Sequence, residues 1–155
     1  MIRKYISVYM ERSYEEEWFE ETNIGRKIKE FLEKDSWKIE KFNENKKQQG
    51  PDIVATKNGK KIVIEVKGYP PRYYVVGKKK GQPKPTHPNL EAKHWFADAL
   101  LSVVVEKSRN PKIKVGIGLP LFPKYEELIG KVSILKEPLN LEFYLVEKNG
   151  RVKIV

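Results

Sequence analysis

No cysteine occurs among the 155 residues, which excludes disulfides, thiolate metal sites and cysteine nucleophiles and fits a cytoplasmic location best. Long apolar runs are also missing. No stretch approaches the roughly 18 apolar residues of a membrane span, so no membrane association is expected. Met1 to Met10 alternates Ile2, Ile6, Val8 and Met10 with polar or aromatic residues where a signal peptide would have a continuous apolar core. That alternation predicts an opening strand. There is no internal repeat, no low-complexity tract and no composition break to mark a linker. The expectation is a single domain over 1–155, long enough to bury one core. Negative charge is in short supply: 31 Lys and Arg stand against 21 Asp and Glu, for a formal charge of +10. Such a balance favours a polyanionic partner, nucleic acid above all.

What is present concentrates between Pro51 and Gly68. Asn58-Gly59 lies between two apolar-alternating runs, the strongest short-range hairpin signal, because a type I′ turn needs φ > 0 at both central positions. Pairing Lys57 with Lys60 sets Thr56 against Lys61, Ala55 against Ile62, Val54 against Val63, Ile53 against Ile64 and Asp52 against Glu65. Two carboxylates then oppose each other, with Cβ atoms roughly 4.5–5.5 Å apart, where like charges repel. Alternation puts Asp52, Val54, Val63, Glu65 and Lys67 on one face and Ile53, Ile62, Ile64 and Val66 on the other. A hard divalent cation would offset the repulsion, since Mg²⁺ takes carboxylate oxygens and keeps waters that can be activated. On the bland alternative, Asp52 merely ends a strand, and Glu65 with Lys67 is an exposed ion pair of little worth. An aspartate in register with the end of an apolar strand favours the functional reading.

Gln49-Gly50-Pro51-Asp52 and Glu65-Val66-Lys67-Gly68 resemble the PD-(D/E)XK nuclease superfamily, whose motif is a Pro-Asp, a hairpin and a Glu-x-Lys closing the next strand. From about Ile24 to Gly68 the chain looks most like archaeal Holliday junction resolvases and Mrr-type restriction nucleases, with Leu32-Glu33-Lys34-Asp35-Ser36-Trp37 as the end of the preceding helix. The resemblance implies an α/β fold with a restriction-endonuclease-like αβββαβ core and a mixed central sheet. It also implies a Mg²⁺-dependent endonuclease acting on DNA, with Mn²⁺ as a substitute, and it allows a homodimer. Asp52, Glu65 and the Val66 carbonyl would hold the metal, and Lys67 would act on water and phosphate. Gln49 would hold water or phosphate, unless it only caps its loop. One departure stands out. The superfamily's helix glutamate falls at Gly25, which cannot bind metal, so Glu21, one turn earlier on the same face, is the candidate replacement, with Glu20 and Glu17 as competitors. The departure keeps open a second reading, a non-catalytic nucleic-acid-binding module that retained the nuclease fold.

Around this motif, Ser13 and Glu16 form a capping-box pattern. Ile24, Ile28, Phe31 and Leu32 have the spacing of a helix with one buried stripe, which Gly25 either splits or does not. Strands are expected at Trp37 to Phe42, Asp52 to Thr56 and Lys61 to Lys67. Proline and glycine through 69–88 predict an irregular loop. It carries Arg72, Lys78, Lys79, Lys80 and Lys84 among Tyr69, Tyr73 and Tyr74, either a grip on nucleic acid or a solvated excursion. A helix from Asn89 is expected to bury Leu90, His94, Ala97, Leu101, Val104 and Val105, with His94 or Lys93 facing the site. A strand at Ile113 to Leu119, a short helix at Tyr125 to Ile129 and a C-terminal β-hairpin about Asn149-Gly150 complete the expectation.

Overall fold

Ile24, Ile28 and Leu32, spaced one turn apart, are all fully buried and define the inner face of the first helix, α1 (Glu21–Lys34). The computed structural model describes residues 17–44 and 48–155. The opening strand expected at Met1 to Met10 and the Ser13/Glu16 cap lie outside the described residues. Gly25 does not split α1. A Cβ there would come within 3.3 Å of the Phe42 ring and 3.9 Å of Val66, so the glycine lets the helix lie close to the sheet. The helix ends in a Schellman motif: Trp37 N–H donates to Leu32 C=O and Ser36 N–H to Glu33 C=O, both at 3.0 Å. Ser36 occupies the left-handed position, φ 65°, where glycine is usual.

Among the described residues six strands follow in one sheet: β1 (Lys38–Phe42), β2 (Ile53–Lys57), β3 (Lys60–Val66), β4 (Lys114–Pro120), β5 (Leu141–Val146) and β6 (Val152–Ile154). Their spatial order repeats their chain order. The β3–β4 and β4–β5 pairs are parallel and the others antiparallel, so the sheet is mixed and the fold is α/β. The β2–β3 register runs from Lys57 with Lys60 to Ile53 with Ile64, as the turn at Asn58-Gly59 predicts. Both turn residues have positive φ, 51° and 76°. At the far end, β5 and β6 form the expected C-terminal hairpin.

Alternation divides the core in two. Ile53, Ala55, Ile62, Ile64 and Val66 pack with α1, while Val63, Val115, Ile117 and Leu119 pack against α2 (Pro88–Arg109) and α3 (Pro123–Lys131). Gly118 matters on the α1 side, since a Cβ there would lie 2.2 Å from the Ile28 Cδ1. Among the described residues no helix is long and apolar enough to cross a membrane.

One expectation is corrected. The face of α2 turned to the sheet is Ala92, Phe96, Ala99 and Val103, and the expected stripe points outward, with Leu90 50 % and Leu101 63 % exposed. This helix offers two apolar stripes. The one with two alanines lets its axis approach the sheet closely, which periodicity alone does not reveal. His94 is accordingly exposed and not a packed core residue. Residues 69–87 form the expected irregular loop, with no helix or strand and one isolated bridge between Tyr73 and Pro83, and the loop folds back on itself as an arm. Arg72 C=O accepts from Lys84 N–H at 2.9 Å, Tyr74 N–H donates to Gln82 C=O at 3.0 Å, and Tyr74 C=O accepts from Gly81 N–H at 2.8 Å. Glycines of positive φ at 77 and 81 turn its tip.

Candidate active site

The β2–β3 ladder stops at Ile53 and Ile64, and Asp52 takes over from the backbone. Its Oδ2 accepts a hydrogen bond from the Val66 N–H at 2.7 Å, and the side chain is buried at 4 % exposure. The carboxylate is thereby fixed against the residue that follows Glu65. Its main chain is held as well, because the Asp52 C=O accepts from the Asn43 N–H at 2.8 Å. The Asn43 carboxamide donates to the Gln48 C=O at 2.7 Å and accepts from the Gln48 N–H. Asn43 thus pins both ends of the segment leading into Asp52. Sequence reasoning missed it; the signal was an amide closing the strand ahead of Pro51-Asp52.

Strand parity turns Glu65 and Lys67 toward α2, and both side chains are largely covered, 14 % and 16 % exposed. Lys67 Nζ lies 3.9 Å from Glu65 Oε1 and 2.9 Å from Asp98 Oδ2. Asp98 is also absent from the sequence reading. It precedes buried Ala99, so its position beside the sheet was legible only once the packed face of α2 is known. His94 stands one turn before Asp98 on that helix and shares its outer face. Lys93 is exposed.

Glu21 reaches the same end of β3 from the other side. At Gly68 an added Cβ would lie 2.7 Å from the Glu21 N and from the Phe19 C=O oxygen, so the start of α1 rests directly on the residue after Lys67. The Tyr125 O–H donates to the Gly68 C=O at 2.7 Å. Burial, with the fields of Tyr69 and Glu21, pushes that phenol far above its ordinary value. Glu21 is therefore close to the site, yet among the described residues no three His, Asp or Glu side chains converge on one centre.

Gln49 is exposed, and its C=O accepts from Lys41 Nζ at 2.8 Å. Along the arm, Arg72, Lys78, Lys79 and Lys80 are exposed, with Lys79 Nζ 5.7 Å from the Tyr74 ring centre. Lys84 differs: its side chain is 14 % exposed and bound to both Glu91 carboxylate oxygens at 3.2 Å. That pair ties the base of the arm to α2.

Comparison with family models, with curated proteins and with solved structures finds no match. The site is thus judged on its own chemistry. Asp52, Glu65 and the Val66 carbonyl, the donors expected from the sequence, would offer oxygen atoms alone. Mg²⁺ takes one or two carboxylates and keeps several waters, so this set fits it, with Mn²⁺ as an alternative.

Proposed function

We propose that the chain is a metal-dependent nuclease of the PD-(D/E)XK kind, hydrolysing phosphodiester bonds in DNA. The observation that carries this reading is the Asp52 carboxylate anchored on the Val66 amide, between Glu65 and Lys67, at the start of β2 and the end of β3. Asp52 and Glu65, with the Val66 carbonyl, would hold Mg²⁺. Bound there, the ion supplies Lewis-acid polarisation of phosphate and a more acidic water. Lys67 reaches the same face and presents ammonium N–H groups to the attacking water or a phosphate oxygen. Asp98 and Glu65 fix its chain beforehand, which limits the orientational cost of the step. Asn43 keeps Asp52 in place, and the basic arm supplies phosphate contacts beyond the scissile bond.

The test is cleavage of plasmid and oligonucleotide DNA with Mg²⁺ or Mn²⁺. Wild type should cut, chelation by EDTA should stop it, and Asp52→Asn should bind metal more weakly and fail to cut while keeping its circular dichroism spectrum. Undiminished Mg²⁺-dependent cleavage by Asp52→Asn sinks the assignment. Glycine at 25, where the resembled motif has its helix glutamate, favours the second reading, a non-catalytic nucleic-acid-binding module. That reading requires wild type to bind DNA and to show no cleavage with either metal.

A further inference from the structure

The opposite end of β3 carries a separate feature. A cleft of about 710 Å³ opens where the β2–β3 turn meets the segment leading into β4, and Trp37, Asn58 and Asn140 line it. Five of its lining residues are lysines, against one aspartate, Asp35. Two of the five are compensated. Lys57 donates to the Asp35 C=O at 2.6 Å and lies 3.3 Å from its carboxylate, and Lys114 pairs with Glu142 at 2.6 Å. The other three, Lys60, Lys61 and Lys112, are exposed and make no ion pair among the described residues.

Lys60 and Lys61, successive residues of β3, leave opposite faces of the sheet and with Lys112 bring three uncompensated cations to the lining of one concavity, where they repel each other and low-dielectric walls focus their field. A ligand with several closely spaced negative charges relieves that repulsion, and phosphate oxygens also accept the donors that lysine and asparagine offer. The volume lies within the range of small-molecule sites and suits a compact ligand. Trp37 adds an indole on which a base can stack. We propose that this cleft binds a nucleoside polyphosphate, its phosphate chain among Lys60, Lys61 and Lys112 and its base against Trp37. Lys60 and Lys67 are separated by seven residues of extended chain, roughly 23 Å at 3.3 Å per residue, so the cleft is distinct from the candidate active site. The inference does not depend on the nuclease reading.

The experiment is calorimetric titration of the full chain with ATP, AMP, inorganic tripolyphosphate and a short oligothymidylate. EDTA is present throughout, so the Asp52–Glu65 site contributes no metal-mediated affinity. ATP and tripolyphosphate should bind saturably and AMP more weakly. The combined Lys60→Ala, Lys61→Ala and Lys112→Ala variant should lose roughly fivefold per ammonium–phosphate contact, about a hundredfold in all. Trp37→Leu should weaken ATP but not tripolyphosphate, and Asp52→Asn should change neither. A matched control replaces Lys78, Lys79 and Lys80 by alanine, removing the same charge elsewhere. Equal losses in the two triple variants would reduce the effect to net charge and overturn the proposal. So would absence of saturable ATP binding, or oligothymidylate binding that is lost in the cleft variant while ATP never binds. Since the three lysines are exposed, the variant should keep its melting temperature; if it does not, Lys112→Glu alone must still weaken tripolyphosphate binding by more than the roughly fivefold of one lost contact.

Discussion

Lys67 is held by two acids of different exposure: Glu65 is largely covered, while Asp98 is 65 % exposed. On the proposed nuclease reading the exposed partner would exchange readily for water or phosphate, which would make Asp98 a positioning residue that parks the ammonium until a substrate arrives. Asp98→Asn should lower kcat by about tenfold to a hundredfold, the scale of a small misplacement of a catalytic group, with KM and metal affinity unchanged. Asp98→Glu should recover part of the loss; an unaltered kcat in Asp98→Asn removes the role. Tyr125 gives a second test. Its O–H is the donor to Gly68 C=O, so Tyr125→Phe should cost about 1 kcal/mol in urea unfolding at pH 7. Burial raises the phenol's pKa above the ordinary 10.0, so above that pH the unfolded chain loses a proton that the native state keeps. Stability is then fully present below pH 10 and falls as pH rises. Tyr144, also raised by burial and by Glu142, adds to the fall. In Tyr125→Phe the alkaline decline should be shallower, and an unchanged slope contradicts this account.

Among the elements, the β2–β3 hairpin was legible from Lys57–Lys60 to Ile53–Ile64, because an Asn-Gly turn fixes register by counting; the expected last pair, Asp52 with Glu65, lies beyond the ladder, where the Asp52 carboxylate accepts from the Val66 N–H instead. The sheet faces followed from the same count. Helix α2 was legible as a helix but not in orientation, since Leu90, Ala97 and Leu101 repeat as regularly as Ala92, Phe96 and Ala99 and only the packed structure chooses between them. Asp98 was lost with that choice. The loop over 69–88 was legible as irregular from its prolines and glycines, but the hydrogen bonds that fold it back, joining Tyr74 to Gln82 and Gly81, carry no sequence signal. Its tip offers a direct measurement. Replacing Lys78, Lys79 and Lys80 by alanine should weaken DNA binding similarly across sequences and lower the slope of log affinity against log salt by up to roughly 0.9 per lost duplex phosphate contact. An unchanged slope places the basic DNA-binding surface elsewhere. At the end of α1, Ser36 adopts φ 65°, a conformation glycine enters without Cβ strain. Ser36→Gly should raise thermal stability by about 0.5–1 kcal/mol, the left-handed penalty less the extra freedom of the unfolded chain; a lower melting temperature contradicts it.

Over the whole molecule, charge is distributed unevenly about the two ends of β3. The end with Asp52 and Glu65 places acids in the sheet, followed in the chain by the basic arm, while the end with Lys60, Lys61 and Lys112 carries more lysines than its two acids, Asp35 and Glu142, compensate. A formal charge of +10 therefore does not describe one uniform basic surface, and the sequence total could not separate the two. The sheet has a further property. Because the spatial order of the six described strands is also their order along the chain, no strand has to be threaded between two that have already joined. A chain leaving the ribosome could close the β1–β2–β3 meander while α2 is still being made, and each later strand would add to a waiting edge. Vectorial synthesis and sheet growth would then advance in the same direction, with the growing edge at each stage formed by the strand most recently added and β1 the fixed edge among the described strands.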